Sequence, residues 1–160
     1  MSPTVIGFIK ASLLSLAAGV ILGVLLAAGI LPSASSPQYI ISAHAHINLL
    51  GAVMMLIFGV GYHILPRFSG RPLYSERLAS VQLWFNVVGL VGMFVAMLAA
   101  AYSTVDLMRY AVAPLGSIYA AGGVMFAYNM WRTIAGALPA PQPLRPAPGN
   151  PGKEARPRGH

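Results

Sequence analysis

The chain has no cysteine among its 160 residues. Disulfides, thiolate zinc sites, cysteine-ligated iron–sulfur clusters and covalent haem attachment through Cys-x-x-Cys-His are therefore excluded for this chain. Charge is also scarce, because only 8% of the residues are charged and three of them are acidic. Soluble domains carry about 25% charged residues. Together with an apolar content of 57%, this composition indicates an integral membrane protein.

The net charge of +7 does not indicate a nucleic-acid partner. The basic residues are concentrated between Arg67 and Arg77 and in the C-terminal tail. Loops and tails are where the positive-inside rule places Lys and Arg in a membrane protein. The charge therefore reports topology, and we expect the lipid bilayer rather than nucleic acid to be the main partner.

Four long apolar segments predict an all-α membrane four-helix bundle. The first segment is too long for a signal peptide, whose apolar core has roughly 7–15 residues, so we expect a retained helix. The Pro-, Gly- and Arg-rich tail is typical of disorder. We expect a transmembrane domain over 1–138, with helices at about 5–31, 39–65, 78–101 and 108–133, and a disordered tail at 139–160.

The positive-inside rule predicts the orientation. The basic loop after the second helix and the basic tail lie on the same side of a four-helix protein. Both termini are therefore expected in the cytoplasm of a bacterial-type cell, with the chain in the inner membrane as a multi-pass protein. The segments at 32–38 and 102–109 would then face outwards.

Three of the four histidines lie in the second apolar segment, between Ile41 and Gly70. Ionisable side chains inside a membrane helix are costly and by default indicate a functional site. His44 and His46 lie near the outer end. His63 follows His46 by seventeen residues, or about 25 Å along a helix, so one small ligand cannot engage both ends.

Histidine binds haem iron, copper and zinc. His44 and His46 are two residues apart, so on a helix they point about 200° apart. They cannot hold one metal unless the helix start is unwound, nor clasp both faces of one haem. A second axial ligand would come from another helix or chain, and Met93 or Met97 could supply it. The alternative for both methionines is core packing.

Each polar residue here also has a structural interpretation. His46 could hydrogen-bond across the bundle, with Asn48 close by. His63 could be an interfacial side chain or part of a proton pathway, and as a metal ligand it is the weakest candidate. The small residues Gly19 and Gly23 would allow another helix to approach closely.

The segment 41–90 resembles subunit I of the haem–copper oxidase superfamily, especially the nitric-oxide-reductase and cbb3-like branches. The second helix of that family carries a His-Thr-Asn-Leu-Leu-type motif whose histidine binds the low-spin haem, and here Ala45–Leu50 reads AHINLL. Similar features continue through Tyr62–Pro66 (YHILP), Leu73–Ala79 (LYSERLA) and Gln82-Leu83. The resemblance implies His46 as an axial haem ligand.

The resemblance also implies what this chain lacks. The family's second low-spin ligand, high-spin haem ligand and copper histidines come from later helices that are not in this sequence. We therefore expect a haem-b-binding membrane protein in respiratory electron transfer or in haem or gas (O₂, NO) handling, without reductase activity on its own. The candidate site residues are His46, His44, Asn48, Met93, Met97 and, least strongly, His63.

Several questions stay open at this stage. The haem could be bound one per chain or shared between chains, in a homo-oligomer or a larger respiratory complex with a redox partner such as a cytochrome c. One alternative is a structural or assembly subunit without haem. Another is a copper protein that uses His44, His46 and methionines.

The predicted orientation can be tested with reporter fusions after His160. We expect a fluorescent protein fused there to fluoresce and alkaline phosphatase to be inactive, because the basic loop and tail should stay in the cytoplasm. The same reporters inserted after Ser35 should give the opposite result. An active phosphatase at His160 would reverse the topology.

Overall fold

A computed structural model of the chain describes residues 1–104 and 106–135. Within these residues all regular structure is helical, and four helices are long and apolar enough to cross a membrane. The predicted all-α four-helix membrane fold is confirmed. The predicted disordered tail, 139–160, lies outside the described residues. The helices are α1 (Pro3–Ala27), α2 (Gln38–Phe68), α3 (Glu76–Tyr102) and α4 (Asp106–Ala135).

The first helix is shorter at its C-terminal end than the sequence predicted. It starts after Ser2, whose hydroxyl accepts a hydrogen bond from the amide of Val5, and it ends at Ala27 rather than near residue 31. Gly29 has a φ of +65°. This left-handed conformation, which glycine adopts without strain, is a common way to end a helix. The apolar residues that follow misled the hydropathy-based prediction.

The second helix continues past Pro66, where the sequence predicted its end. Proline removes only one helical hydrogen bond, and membrane helices tolerate that loss. The last helical residue is Phe68, and Gly70, two residues later, has a φ of +64°. The amide of Gly70 bonds to the carbonyl of Arg67, and the amide of Arg71 bonds to that of Pro66. This pair of bonds is a Schellman motif, so the glycine rather than the proline ends α2.

Each helix packs mainly on its neighbour in sequence, in the order α1, α2, α3, α4. The outer faces carry large apolar side chains that are more than half exposed, such as Leu14 at 73%, Trp84 at 64% and Val124 at 70%. A lipid-facing surface accounts for this exposure. The polar side chains Gln82, Asn86 and Asn129 are instead fully buried.

Glycines set the distance between α3 and α4. A β-carbon at Gly89 would lie 2.6 Å from the backbone nitrogen of Tyr119 and 2.9 Å from the carbonyl oxygen of Leu115. A β-carbon at Gly122 would lie 2.5 Å from the side-chain amide nitrogen, Nδ2, of Asn86. Membrane helices associate through such close contacts of small residues.

The loops at the end opposite the basic residues are bonded together. The backbone amide of Ser36 and the hydroxyl of Ser35 both donate hydrogen bonds to the carbonyl oxygen of Ala101, at 3.1 and 3.0 Å. Arg109 donates to the hydroxyl of Ser36 at 3.2 Å and lies 3.6 Å from Asp106. The segments at 32–38 and 102–109 thus lie on one side, as the sequence predicted, and the one arginine there has an acidic partner.

The contact between α3 and α4 predicts a sharp difference between two glycines. Gly89→Ala should lower the free energy of unfolding by about 1–3 kcal/mol, because the new methyl group meets backbone that cannot yield locally. Gly123→Ala on α4 is the control, since a β-carbon there meets nothing within 4 Å. Its effect should stay within about 0.5 kcal/mol. Denaturant titration in detergent micelles measures both, and equal losses would contradict the packing.

Candidate functional site

His46 lies in the first part of α2, where the helix is regular from Gln38 to His46. Its Nδ1 is 2.8 Å from the carbonyl oxygen of Ser42. A carbonyl oxygen only accepts, so Nδ1 carries the proton and Nε2 keeps its lone pair. No residue that the structure describes hydrogen-bonds to this Nε2. Metal-ligating histidines are held in the same way, by a second-shell bond from the other ring nitrogen.

His44 and Asn48 face α1 instead. A β-carbon at Gly23 would lie 2.7 Å from Cε1 of His44, and one at Gly19 would lie 2.6 Å from Cγ of Asn48. Asn48 also bonds back to His44, with its amide nitrogen 2.8 Å from the carbonyl oxygen and 3.4 Å from Nδ1. The two glycines therefore make room for polar side chains of the same chain. The helix that approaches Gly19 and Gly23 closely is thus α2 of the same chain.

A π-helical segment, Ile47–Met54, begins directly after His46. Two of its carbonyls accept a further hydrogen bond from a neighbouring helix. The hydroxyl of Tyr119 in α4 donates to Leu50 at 2.8 Å, and that of Ser12 in α1 donates to Ala52 at 2.6 Å. π-helical turns occur frequently at functional sites. His46 thus stands at the junction of two helix types, one of which is anchored from both sides.

Met93 and Met97 are buried and pack against Ala43, one turn before His46. A β-carbon at Gly116 would lie 3.4 Å from the sulfur of Met93. Both methionines therefore lie near the depth of His46. They fill a core between α2, α3 and α4, so their role as haem ligands stays a prediction.

His63 lies at the opposite end of α2. One terminal nitrogen of Arg67 donates to its Nε2 and, at 2.9 Å, to its carbonyl oxygen. Since arginine has no acceptor, Nε2 must be the accepting nitrogen and is occupied. Among the described residues, no three His, Asp or Glu side chains come together as a metal site. The start of α2 is not unwound, so His44 and His46 cannot both bind one copper ion in this conformation.

A buried chain of polar side chains joins α2, α3 and α4. The hydroxyl of Tyr62 donates to the amide oxygen of Gln82. Gln82 donates to Asn86 at 3.1 Å, and Asn86 donates to the carbonyl oxygen of Tyr119 at 3.0 Å. Because the hydroxyl of Tyr119 also donates to the π-helical segment, this series of hydrogen bonds connects the basic end of the protein to the turn that follows His46.

Asn129 extends this chain to the basic loop. Its amide nitrogen lies 3.4 Å from the hydroxyl of Tyr62 and 2.8 Å from the carbonyl oxygen of Ser75. Its amide oxygen accepts from the backbone nitrogen of Ser75 at 3.1 Å. The sequence-based prediction assigned no role to Gln82, Asn86 or Asn129. The signal was present, since an Asn inside an apolar span needs a partner.

The sequence pattern of these helices matches a family model described as Cytochrome C and Quinol oxidase polypeptide I, over residues 1–138. The chain belongs to this family. The resemblance to subunit I of the haem–copper oxidases is thereby confirmed, and with it a relation to respiratory oxidases.

Three relatives show how much of a family member is represented. The cbb3-type cytochrome c oxidase subunit CcoN1 of Stutzerimonas stutzeri is 31% identical over 61% of this chain and 26% of its own length. Cytochrome c oxidase subunit 1 of Rhodobacter capsulatus is 31% identical over 58% of this chain and 22% of its own length. Cytochrome c oxidase subunit 1 of Corynebacterium diphtheriae is 34% identical over 48% of this chain and 13% of its own length. No solved structure matches the chain.

The chain thus spans about a quarter or less of the length of these oxidase subunits. The matched portion includes α2 and His46. It is a membrane portion of a subunit I fold, and the activity of the whole oxidase is not carried over with the family membership.

Proposed function

We propose that this chain binds haem b through Nε2 of His46. The observation that carries the proposal is the hydrogen bond from Nδ1 of His46 to the carbonyl of Ser42. That bond fixes the ring and leaves Nε2 as a free donor to iron, so the residues present fit the group. His46 is also the histidine that matches the family's haem motif.

The task that fits this site best is electron transfer within a respiratory membrane complex. Haem b, when bound, supplies a one-electron redox centre. Ser42 and the π-helical segment that follows His46 hold the imidazole at a fixed depth, which keeps the distance to a partner centre constant. The relatives are named as cytochrome c oxidase subunits, so we infer a larger complex in a bacterial inner membrane, with a cytochrome c as the redox partner.

The haem ligand can be tested by replacing the histidines. His46→Ala should remove most of the Soret absorbance per protein, because the unprotonated ring nitrogens of His44 and His63 already accept hydrogen bonds from Asn48 and Arg67. His63→Ala is the matched control and should keep the Soret band, since its Nε2 is engaged by Arg67. Both variants should still insert in the membrane. Loss of haem in His63→Ala alone would overturn the assignment, and a wild-type protein without a Soret band would favour the structural-subunit alternative.

A second axial ligand should come from outside this chain. His46 lies beside an open strip of α2 formed by the exposed residues Ala45, Leu49 (60% exposed) and Val53 (48% exposed). A second copy could present its own His46 across this strip, and homo-oligomers usually pair identical patches. Another subunit could supply a ligand at the same place. Within the chain, Met93 and Met97 pack in the core around Ala43, one turn before His46, and are the alternative ligands.

Electron paramagnetic resonance of the oxidised protein at low temperature distinguishes these ligand sets. A low-spin spectrum typical of two histidines, with about half a haem per chain, is expected for the symmetric dimer. Purification with a partner subunit should instead give one haem per complex. A high-spin signal at full occupancy, with a spectrum that shifts when carbon monoxide is added to the reduced form, would contradict the dimer and favour gas handling.

A further inference from the structure

A groove runs along the outer face of α2 in its second half. Its deeper part, about 430 Å³, is lined entirely by apolar residues and glycine, and its end part, about 340 Å³, contains polar groups. Ile64 lines both parts, so they adjoin each other along α2. The deeper part is lined by Leu56, Ile57, Val60, Gly61, Ile64 and Leu65, and the end part by His63, Ile64, Arg67 and Phe68.

Gly61 lines the groove and also contacts α4. A β-carbon at this position would lie 2.9 Å from Cζ of Phe126 in α4. The absence of a side chain lets α4 approach α2 here, beside the groove. The polar chain from Tyr62 lies on the opposite, buried face of the same turn.

The length of the groove matches one leaflet of a bilayer. From Leu56 to Arg67 the helix advances about 16 Å at 1.5 Å per residue. The hydrocarbon core of a bilayer is roughly 30 Å thick, so half of it is about 15 Å. An acyl chain that starts at the membrane surface near Arg67 would therefore end near Leu56.

Arg67 is available to an anion at the mouth of the groove. Its contacts with His63 use one terminal nitrogen, so Nε and the other terminal nitrogen keep their N–H donors. These form the planar edge that binds a phosphate with two parallel hydrogen bonds. Within the described residues, Arg67 forms no ion pair.

The surroundings of Arg67 favour a negatively charged headgroup. A polar cleft of about 440 Å³ adjoins the groove and contains both Arg67 and Arg71, with Glu76 as its acidic residue. Arg132 lies at the same end of the helices. Basic sites between membrane helices at such a surface bind anionic lipid headgroups.

We propose that this groove is a binding site for an anionic phospholipid. One acyl chain lies along Leu56–Ile64, and the headgroup phosphate is bound by the free edge of Arg67, with Arg71 contributing to the preference for negative charge. The site does not involve His46 and does not depend on haem binding.

Native mass spectrometry of the full chain in detergent tests the proposal, with phosphatidylglycerol and phosphatidylcholine of the same acyl chains as probes. Wild type should bind phosphatidylglycerol more tightly. Arg67→Gln should weaken that binding about tenfold, the loss expected for a charge-assisted phosphate contact. Arg77→Gln is the matched control, because this exposed arginine borders neither the groove nor the cleft, and it should bind as wild type does.

A second pair of variants tests the groove itself. Val60→Trp should fill it and reduce binding of both lipids, whereas Val88→Trp, on the exposed face of α3, should leave binding unchanged. Equal binding of the two lipids by wild type, or equal losses in Arg67→Gln and Arg77→Gln, would overturn the proposal. If Val60→Trp instead converts an oligomer into monomers, a second copy occupies the groove and the proposal is wrong.

Discussion

The absence of water from the bilayer core is the constraint on which this structure depends. Each polar group in that region must find its partner within the protein. Gln82, Asn86 and Asn129 are fully buried, and each bonds to another helix or to the loop before α3. These bonds fix how α2, α3 and α4 sit along one another. Tyr119 passes that alignment on to the π-helical segment, because its carbonyl accepts from Asn86 and its hydroxyl donates to Leu50.

Close contact between helices is the second requirement, and here it is tied to the first. Among the described residues, glycines stand opposite side-chain amides in two places: Gly122 faces Asn86, and Gly19 faces Asn48. A side-chain amide between two closely packed helices needs space, and a glycine on the facing helix provides it because it has no side chain. At these two contacts the glycine and the amide are best interpreted as a pair, because each explains why the other is there.

The sequence predicted the parts of the structure that depend on hydropathy and local motif. Four spans, the grouping of the loops and the family resemblance around His46 required no tertiary information. The π-helical segment could not be foreseen, because its apolar residues fit an ordinary helix equally well and its extra bonds come from Ser12 and Tyr119. The helix α2 continues beyond the predicted end at residue 65 because Pro66 does not terminate it. The residue that does is Gly70, which adopts the left-handed conformation.

The three membrane histidines differ in what their ring nitrogens do, and this difference decides between them better than their positions in the sequence. His44 packs on Gly23, with its Nδ1 next to Asn48. His63 accepts a hydrogen bond from Arg67 at Nε2. His46 bonds to its own helix through Nδ1, and the described chain offers no partner to its Nε2. Of the three, His46 is therefore the histidine whose unprotonated ring nitrogen has no partner among the described residues, and the haem proposal rests on that difference.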